Sequence, residues 1–291
     1  MATVSVVVVS YNALPWLERC LESVAGYETI VVDHGSGDAS VEVARRHGAQ
    51  VIEQENRGFG AGNNAGMRAA SGDYFLLLNA DAWAVGDAVE RLVACAEAHP
   101  EAAVVGPRLS NEDGTLQRSA RGFPTLWRLA TEYFFLRKLA PGSRLLNAFY
   151  AGGFDHRHER EVDWLYGPAL LVRREAADAV GLFDESFFLF SEETDWCYRF
   201  RAAGWKVLFF PGAEVVHVGG ASHGGRLYVE NLRGQLRFLA KHHGPRKAER
   251  ARRLLLVALR LRALLFRGAR GRQYRDAAAF LASGSAQALL S

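Results

Sequence analysis

Cysteine is scarce and scattered in this chain. Only Cys20, Cys95 and Cys197 occur in 291 residues, far apart and without a CxxC pair, so neither a disulfide framework nor a zinc knuckle is indicated and a reducing compartment fits. Long apolar runs are missing too. The stretch "LLLVALRLRALLF" at 254–266 is strongly apolar, but thirteen residues that include Arg260 and Arg262 fall short of the roughly twenty needed to span a bilayer. The opening "MATVSVVVVSYN" has no basic region ahead of its apolar run, and polar residues follow within ten positions. It reads as a first strand and not as a signal peptide. No aromatic-studded basic face accompanies the positive charge, which argues against nucleic acid as a partner.

What is present is enough apolar sequence, 49% of the residues, to bury one large core or a core with a smaller appendage. The formal charge of +3 conceals an asymmetry. Residues 241–275 hold twelve Lys or Arg against the single Glu249, which leaves the remainder of the chain net negative. A basic, leucine-rich segment of this kind suits an anionic membrane surface, a solvated helix packed on its own domain, or a second copy of the chain in a homodimer.

Strand and helix signals alternate along the first hundred residues. "TVSVVVVSY", "TIVVDHGSGD", "AQVIEQ" and "DYFLLLNAD" are β-branched or leucine-rich runs, and helical patterns lie between them. Asp38 is placed to cap a helix over 39–47 that stops at Gly48, and Asp87 with Glu90 has the spacing of a capping box before Pro100. This βαβα order predicts an α/β fold with a mostly parallel central sheet flanked by helices. After "AAVVGPRLS" the regularity fades, and residues 111–162 read as loops and short helices over one face of the sheet. Further strands are expected at "WLYGPALLVRRE" and "WKVLFFP".

A leucine run that ends in a carboxylate is unusual. "LLLNADAW", residues 76–83, reads as a strand covered on both faces whose carboxyl end delivers Asp81 to the sheet edge, where α/β proteins bind ligands. Asp81 could equally begin a turn or cap the following helix. Just upstream, "NRGFGAGNNAG" imitates a dinucleotide-binding loop, since Gly58 and Gly60 follow a strand and precede a helix. The imitation fails where the third glycine should stand, at Asn63, and because the loop does not follow the first strand. Gly60 and Asn63 would instead line the floor beneath a bound nucleotide.

Taken in order, "VSVVVVSYN", "IVVDHGSGDAS", "NRGFGAGNNAG", "LLLNADA", "YGPALLVRREA", "VGLFDESFFLFSEETDWCYRFRAAGW" and "VVHVGGAS" resemble the GT-A glycosyltransferases of family 2, and within them the bacterial rhamnosyltransferase-like branch. The resemblance runs from about residue 4 to 223. It implies a GT-A domain over 1–225, followed by a basic helical C-terminal appendage over 226–291. It also implies an inverting transfer of a sugar, rhamnose from dTDP-rhamnose by the branch, from a nucleoside diphosphate donor to a cell-surface polysaccharide or lipid-linked saccharide at the cytoplasmic face of the membrane. A non-catalytic module that keeps the fold for binding, and a Rossmann-type NAD-dependent oxidoreductase, are the alternatives.

The same resemblance assigns roles. Asp81 matches the metal-binding acid of the DxD-type motif and His217 a histidine that completes the site in some relatives, with Mn²⁺ or Mg²⁺ as the ion; Asn79 stands where a strict motif has its first acid. Ser10, Tyr11, Asn12 and Asp33 fall where the base and ribose bind. In "SEETDW", Glu193 matches the base that removes the acceptor proton, and Glu192 and Asp195 its supports.

Overall fold

The computed structural model describes residues 2–219 and 225–290, and the end of the "VVHVGGAS" motif, residues 220–222, lies outside them. In chain order the elements begin with β1 (Val4–Ser10), α1 (Leu14–Glu22), β2 (Glu28–Asp33), α2 (Ser40–Arg46), β3 (Gln50–Glu53), α3 (Phe59–Ala69), β4 (Tyr74–Asn79), β5 (Ala82–Ala84), α4 (Ala88–Ala98) and β6 (Ala102–Ser110). They continue with β7 (Leu116–Gln117), β8 (Ala120–Arg121), α5 (Leu126–Tyr133), β9 (Arg160–Glu161), β10 (Trp164–Leu165), β11 (Ala169–Arg173), α6 (Arg174–Val180), α7 (Glu192–Ala202) and β12 (Lys206–His217). Three helices follow: α8 (Gly225–His243), α9 (Pro245–Leu265) and α10 (Gly268–Ala282).

The chain divides into two compact units. The first comprises Met1–Ala120, Asp155–Phe188 and Asp195–Ser222, and the second Arg121–Phe154, Leu189–Thr194 and His223–Ser291. The first is built on a ten-stranded sheet ordered β3-β2-β1-β4-β11-β6-β12-β5, with β7 added to β6 and β9 to β12. β1, β2, β3, β4, β6 and β12 all run one way, and β11 is inserted against the grain between β4 and β6. The expected, mostly parallel α/β sheet is thus present. Val6, Val7 and Val8 in β1 and Leu76, Leu77 and Leu78 in β4 are all buried, as unbroken apolar strands must be when both faces are covered. Each such side chain stabilises the fold by about 1.5–3 kcal/mol.

Two expected helix caps are not made. Asp38 accepts from the Ser40 amide at 3.0 Å, but α2 starts at Ser40 with Ala39 in the cap position. Asp87 occupies the cap position of α4, yet its carboxylate takes Arg91 Nε at 2.7 Å and Glu90 takes the Tyr27 hydroxyl at 2.6 Å, so no capping box closes. Residues 111–162 also hold more strand than expected: β7 and β9 each extend the main sheet. Most of that stretch, Arg121–Phe154, belongs to the second unit.

The second unit is helical. Arg262 is buried in it, with its guanidinium carbon 4.0 Å from the Phe135 ring centre and 5.1 Å from that of Tyr133, while it donates to the carbonyls of Tyr133 and Glu132 at 2.8 Å each. A buried cation is tolerated because aromatic faces and carbonyl dipoles replace its water. Glu249 fastens α9 to the chain end, accepting from Arg252, Arg253 and the Ala286 amide.

In the sheet unit, α3 approaches β1 closely at Gly66. A Cβ there would overlap Val7 Cγ1. Gly66→Ala gains about 1 kcal/mol of helix propensity but incurs about 1–3 kcal/mol of overpacking, so a net loss of stability is expected. Chemical denaturation measures it, and an unchanged or raised midpoint would mean that α3 is free to lift from the sheet.

Candidate active site

Because six strands share a direction, their carboxyl ends gather at one edge. Ser10 at the end of β1 lies beside Asp33 at the end of β2, and Val9 beside Asn79 at the end of β4. Asp81 occupies the tight turn from β4 to β5, seven residues before α4, and therefore caps no helix. β12 closes the edge: His217 pairs with Ala82, and the Val218 amide donates to the Asp81 carbonyl at 3.0 Å.

This places His217 Nε2 3.5 Å from Asp81 Oδ1. The imidazole is oriented from behind by Gln117. Gln117 Nε2 donates to the His217 carbonyl at 2.6 Å and to Asn111 Oδ1 at 2.5 Å, and Gln117 Oε1 lies 2.9 Å from His217 Nδ1. An amide oxygen only accepts, so Nδ1 carries a proton, and in the neutral ring the Nε2 lone pair points at the carboxylate. In that neutral form the nitrogen and the carboxylate oxygen are two electron-pair donors facing each other. They can share a cation, and a nitrogen with a carboxylate oxygen suits Mn²⁺ better than Mg²⁺, which prefers oxygen throughout.

Two buried polar atoms at the same edge lack a protein partner among the described residues, Ser10 Oγ and Asn79 Oδ1. Buried acceptors without partners are rare in native proteins and fit a surface made for a ligand. Tyr11 is 59% exposed, so packing does not account for it. Asn12 has a left-handed backbone, φ 49°; its amide donates to Ser36 Oγ at 2.8 Å and its Oδ1 accepts from the Gly37 amide at 2.8 Å. Asp33 is buried and accepts from the Gly35 and Ser36 amides at 3.0 and 2.7 Å and from the Ser36 hydroxyl at 2.6 Å. The 33–37 loop is thereby held against Asn12. Burial lowers the pKa of the neighbouring His34, and its Nε2, 3.2 Å from the Gln54 amide nitrogen, acts as an acceptor.

Gly60 and Asn63 are buried within α3. The Asn63 amide donates to the Phe59 carbonyl at 3.0 Å, and Asn64 binds Phe183 through both ends of its amide. The Phe188 carbonyl accepts from Phe59 N at 2.9 Å, at the start of α3. That amide would face the pyrophosphate in a dinucleotide site, so the glycine-rich loop does not form one.

The acidic residues of "SEETDW" separate by role. Asp195 is buried and accepts from Arg199 Nε at 2.9 Å, while the same guanidinium holds the carbonyls of Val180, Gly181 and Leu182. The pair ties α7 to the turn that ends α6. Glu192 and Glu193, in the second unit, are buried, and one oxygen of each lacks a hydrogen-bond partner among the described residues. Burial, then the charge of Glu193, pushes the Glu192 carboxyl well up; burial pushes Glu193 up to about 7, although amides at the helix start and the Arg121 charge pull the other way. A carboxyl near 7 is poised to take a proton at neutral pH.

Sequence reasoning missed two supporting residues. Gln117 is carried to His217 by the β6–β7 hairpin, whose signal is the "NEDG" turn at 111–114, but nothing local says which histidine it meets. Gly234 lies against the Phe190 carbonyl, where Phe190 and Ser191 hold left-handed backbone, φ 68° and 73°, just before the acid pair. A Cβ at 234 would push on that strained turn.

Residues 5–162 match Glycosyl transferase family 2. An N-acetylglucosaminyl-diphospho-decaprenol L-rhamnosyltransferase of Mycobacterium tuberculosis is 31% identical over 258 residues, which cover 82% of this chain and 80% of that one. The rhamnosyltransferase WbbL of Escherichia coli is 24% identical over 256 residues, 82% of this chain and 93% of that one. In structure, the chain is similar to the mannosyltransferase PcManGT from Pyrobaculum calidifontis, solved with GDP-Man and Mn²⁺. The TM-score is 0.57 at 19% identity, with 99% of this chain and 78% of that one covered, a likeness of fold.

The buried acids make stability depend on pH. Glu193 titrates near 7 in the folded chain against an ordinary 4.5, so between those values the folded state holds more protons than the unfolded one and stability falls as pH rises. By pH 8 the loss is complete, roughly 3 kcal/mol for this group. Glu193→Gln should raise the calorimetric midpoint at pH 8 by roughly 5 °C and change it little at pH 4.5. The same increment at both pH values would show that Glu193 ionises as an ordinary carboxyl.

Proposed function

The chain belongs to glycosyltransferase family 2, and we propose that this glycosyltransferase is a metal-dependent, inverting rhamnosyltransferase using dTDP-rhamnose and a lipid-linked saccharide or growing cell-surface polysaccharide. The observation that carries the metal and donor reading is the meeting of Asp81 Oδ1 with the His217 Nε2 lone pair, beside the unpartnered Ser10 Oγ and Asn79 Oδ1. The rhamnose assignment and the lipid-linked acceptor rest on the names of the relatives.

Tyr11, Asn12 and Asp33 would take the nucleoside, Asn79 and Asp81 the diphosphate end, and Gly60 and Asn63 would form the floor beneath it. Asp81 and His217 would hold a divalent cation, Mn²⁺ by its donor set, which when bound neutralises charge on the departing diphosphate. In the transfer, the acceptor oxygen bonds to the anomeric carbon as the bond from that carbon to the diphosphate oxygen breaks, its electron pair leaving with the diphosphate. The acceptor's proton goes to the Glu193 carboxylate. Glu192, held neutral by burial and by its neighbour's charge, keeps the pair from carrying two negative charges. Asp195 supports α7 through Arg199, which grips the end of α6.

A lipid-linked acceptor calls for a protein that reaches the membrane, on this reading at its cytoplasmic face. No described helix is long and apolar enough to cross one. Along one side of α9, however, Val257, Leu261, Leu264 and Leu265 are exposed, the last two at 81% and 73%, with Arg253, Arg260 and Arg267 exposed around them. Such a stripe can insert leucines between lipids while the arginines meet anionic headgroups.

Two experiments test these proposals. Glu193→Gln should bind dTDP-rhamnose with Mn²⁺ as the parent does, yet transfer about 10² to 10⁴ times more slowly at saturating substrates. Equal transfer rates would remove Glu193 from the chemistry. Leu264→Ser with Leu265→Ser should weaken partitioning onto anionic vesicles by at least about tenfold, since each buried leucine contributes about 1.5–3 kcal/mol. Undiminished partitioning would rule out α9 as the contact.

A further inference from the structure

At the opposite edge of the sheet, three side chains of different chemistry meet. Cys95 and His99 are four residues apart at the carboxyl end of α4, so they lie on one side of the helix. The third comes from the segment by which the chain returns to the sheet unit at Asp155: Glu159, immediately before β9. Its carboxylate divides between them. Oε1 is 2.8 Å from His99 Nε2 and Oε2 is 3.9 Å from Cys95 Sγ. The three donor atoms lie within 4.8 Å of one another.

The surroundings are those of a built site. Cys95 is 6% exposed, while His99 and Glu159 are about one-third exposed, so the cluster has an apolar floor and an open side. The far nitrogen of His99, Nδ1, faces Glu101 Oε1 at 3.7 Å, and Lys206 Nζ holds that same oxygen at 3.2 Å. A carboxylate behind an imidazole is the arrangement that orients a metal-binding histidine and raises its basicity.

We propose that Cys95, His99 and Glu159 form a zinc site separate from the sugar-transfer site. Sulfur, nitrogen and oxygen donors together suit a borderline ion such as Zn²⁺ and not Mg²⁺ or Ca²⁺, which take oxygen. Around a tetrahedral zinc, with bonds of about 2.0–2.3 Å, ligand atoms stand about 3.5 Å apart. Nε2 and Oε1 at 2.8 Å and Sγ and Oε2 at 3.9 Å straddle that spacing, and with all three donors within 4.8 Å of one another, side-chain rotation brings them around one ion. Water fills the fourth position on the open side. The ion replaces the proton of the Cys95 thiol, which in its absence is retained because burial and Glu159 push it up to about 12. Bound zinc clamps the returning segment to the end of α4. β9 pairs Arg160 with Phe209 and Glu161 with Leu208 of β12, so the clamp braces the start of the strand that ends in His217. The inference stands apart from the proposed donor and metal at Asp81.

Cobalt reports on such a site without any activity assay. Full-length protein stripped of metal, then titrated with Co²⁺ in excess Mg²⁺, should develop a near-ultraviolet thiolate-to-cobalt charge-transfer band that saturates at one equivalent and is discharged by Zn²⁺. Zinc alone should raise the thermal midpoint. The band should persist in Asp81→Ala, whatever the fate of nucleotide binding, and vanish in Cys95→Ser. His99→Gln and Glu159→Gln, at positions about one-third exposed that should fold even if Cys95→Ser does not, should weaken Co²⁺ binding by at least about tenfold. No thiolate band in the parent, or undiminished Co²⁺ affinity in both of these variants, would show that His99 and Glu159 are only an ion pair and Cys95 a packed thiol.

Discussion

Strand direction is the constraint from which the donor side of this molecule follows. β1, β2, β4 and β12 all point the same way, so residues remote in sequence, from Ser10 to His217, finish at one edge. Backbone groups at strand ends have no ladder partners beyond them, and the edge is where a parallel sheet can present polar side chains without breaking its core. The valines and leucines behind make that edge rigid. A histidine and an aspartate with converging lone pairs would otherwise swing apart, and the Gln117 amide adds the rotational lock that packing alone does not supply.

The acid pair at the start of α7 illustrates a different compromise. Burial of Glu192 and Glu193 opposes folding at neutral pH, and the left-handed backbone of Phe190 and Ser191 adds local strain. Neither feature has a use in holding the chain together. Burial raises the affinity of a carboxylate for a proton, which is what a general base requires, and the left-handed turn leads directly into the acid pair. Asp195, one turn along the same helix, takes the structural part instead through Arg199.

Much of this was legible in the sequence, for identifiable reasons. Unbroken Val and Leu runs can only be strands covered on both faces, so β1 and β4 and the position of Asp81 at a strand's end were readable. So was the failure of the glycine-rich loop to make a dinucleotide site. Caps were less readable, because Asp87 and Glu90 had stronger partners in Arg91 and Tyr27 than the helix end. Contacts across long stretches of sequence were invisible. Nothing near Gln117 announces His217, one hundred residues on, and cysteine spacing gives no hint that Glu159 lies beside Cys95 and His99. The division into units was hidden for the same reason, since Arg121–Phe154 and Leu189–Thr194 carry no local mark of joining the C-terminal helices.

The account turns on a cation shared by Asp81 and His217. Crystals grown with Mn²⁺ and dTDP, measured at a wavelength where manganese scatters anomalously, test it directly. The account predicts an anomalous peak within bonding distance of both the Asp81 carboxylate and His217 Nε2, in contact with the diphosphate, with Gln117 still on Nδ1. Diphosphate bound with no such peak, or with manganese held elsewhere while Asp81 and His217 contact each other, would contradict it.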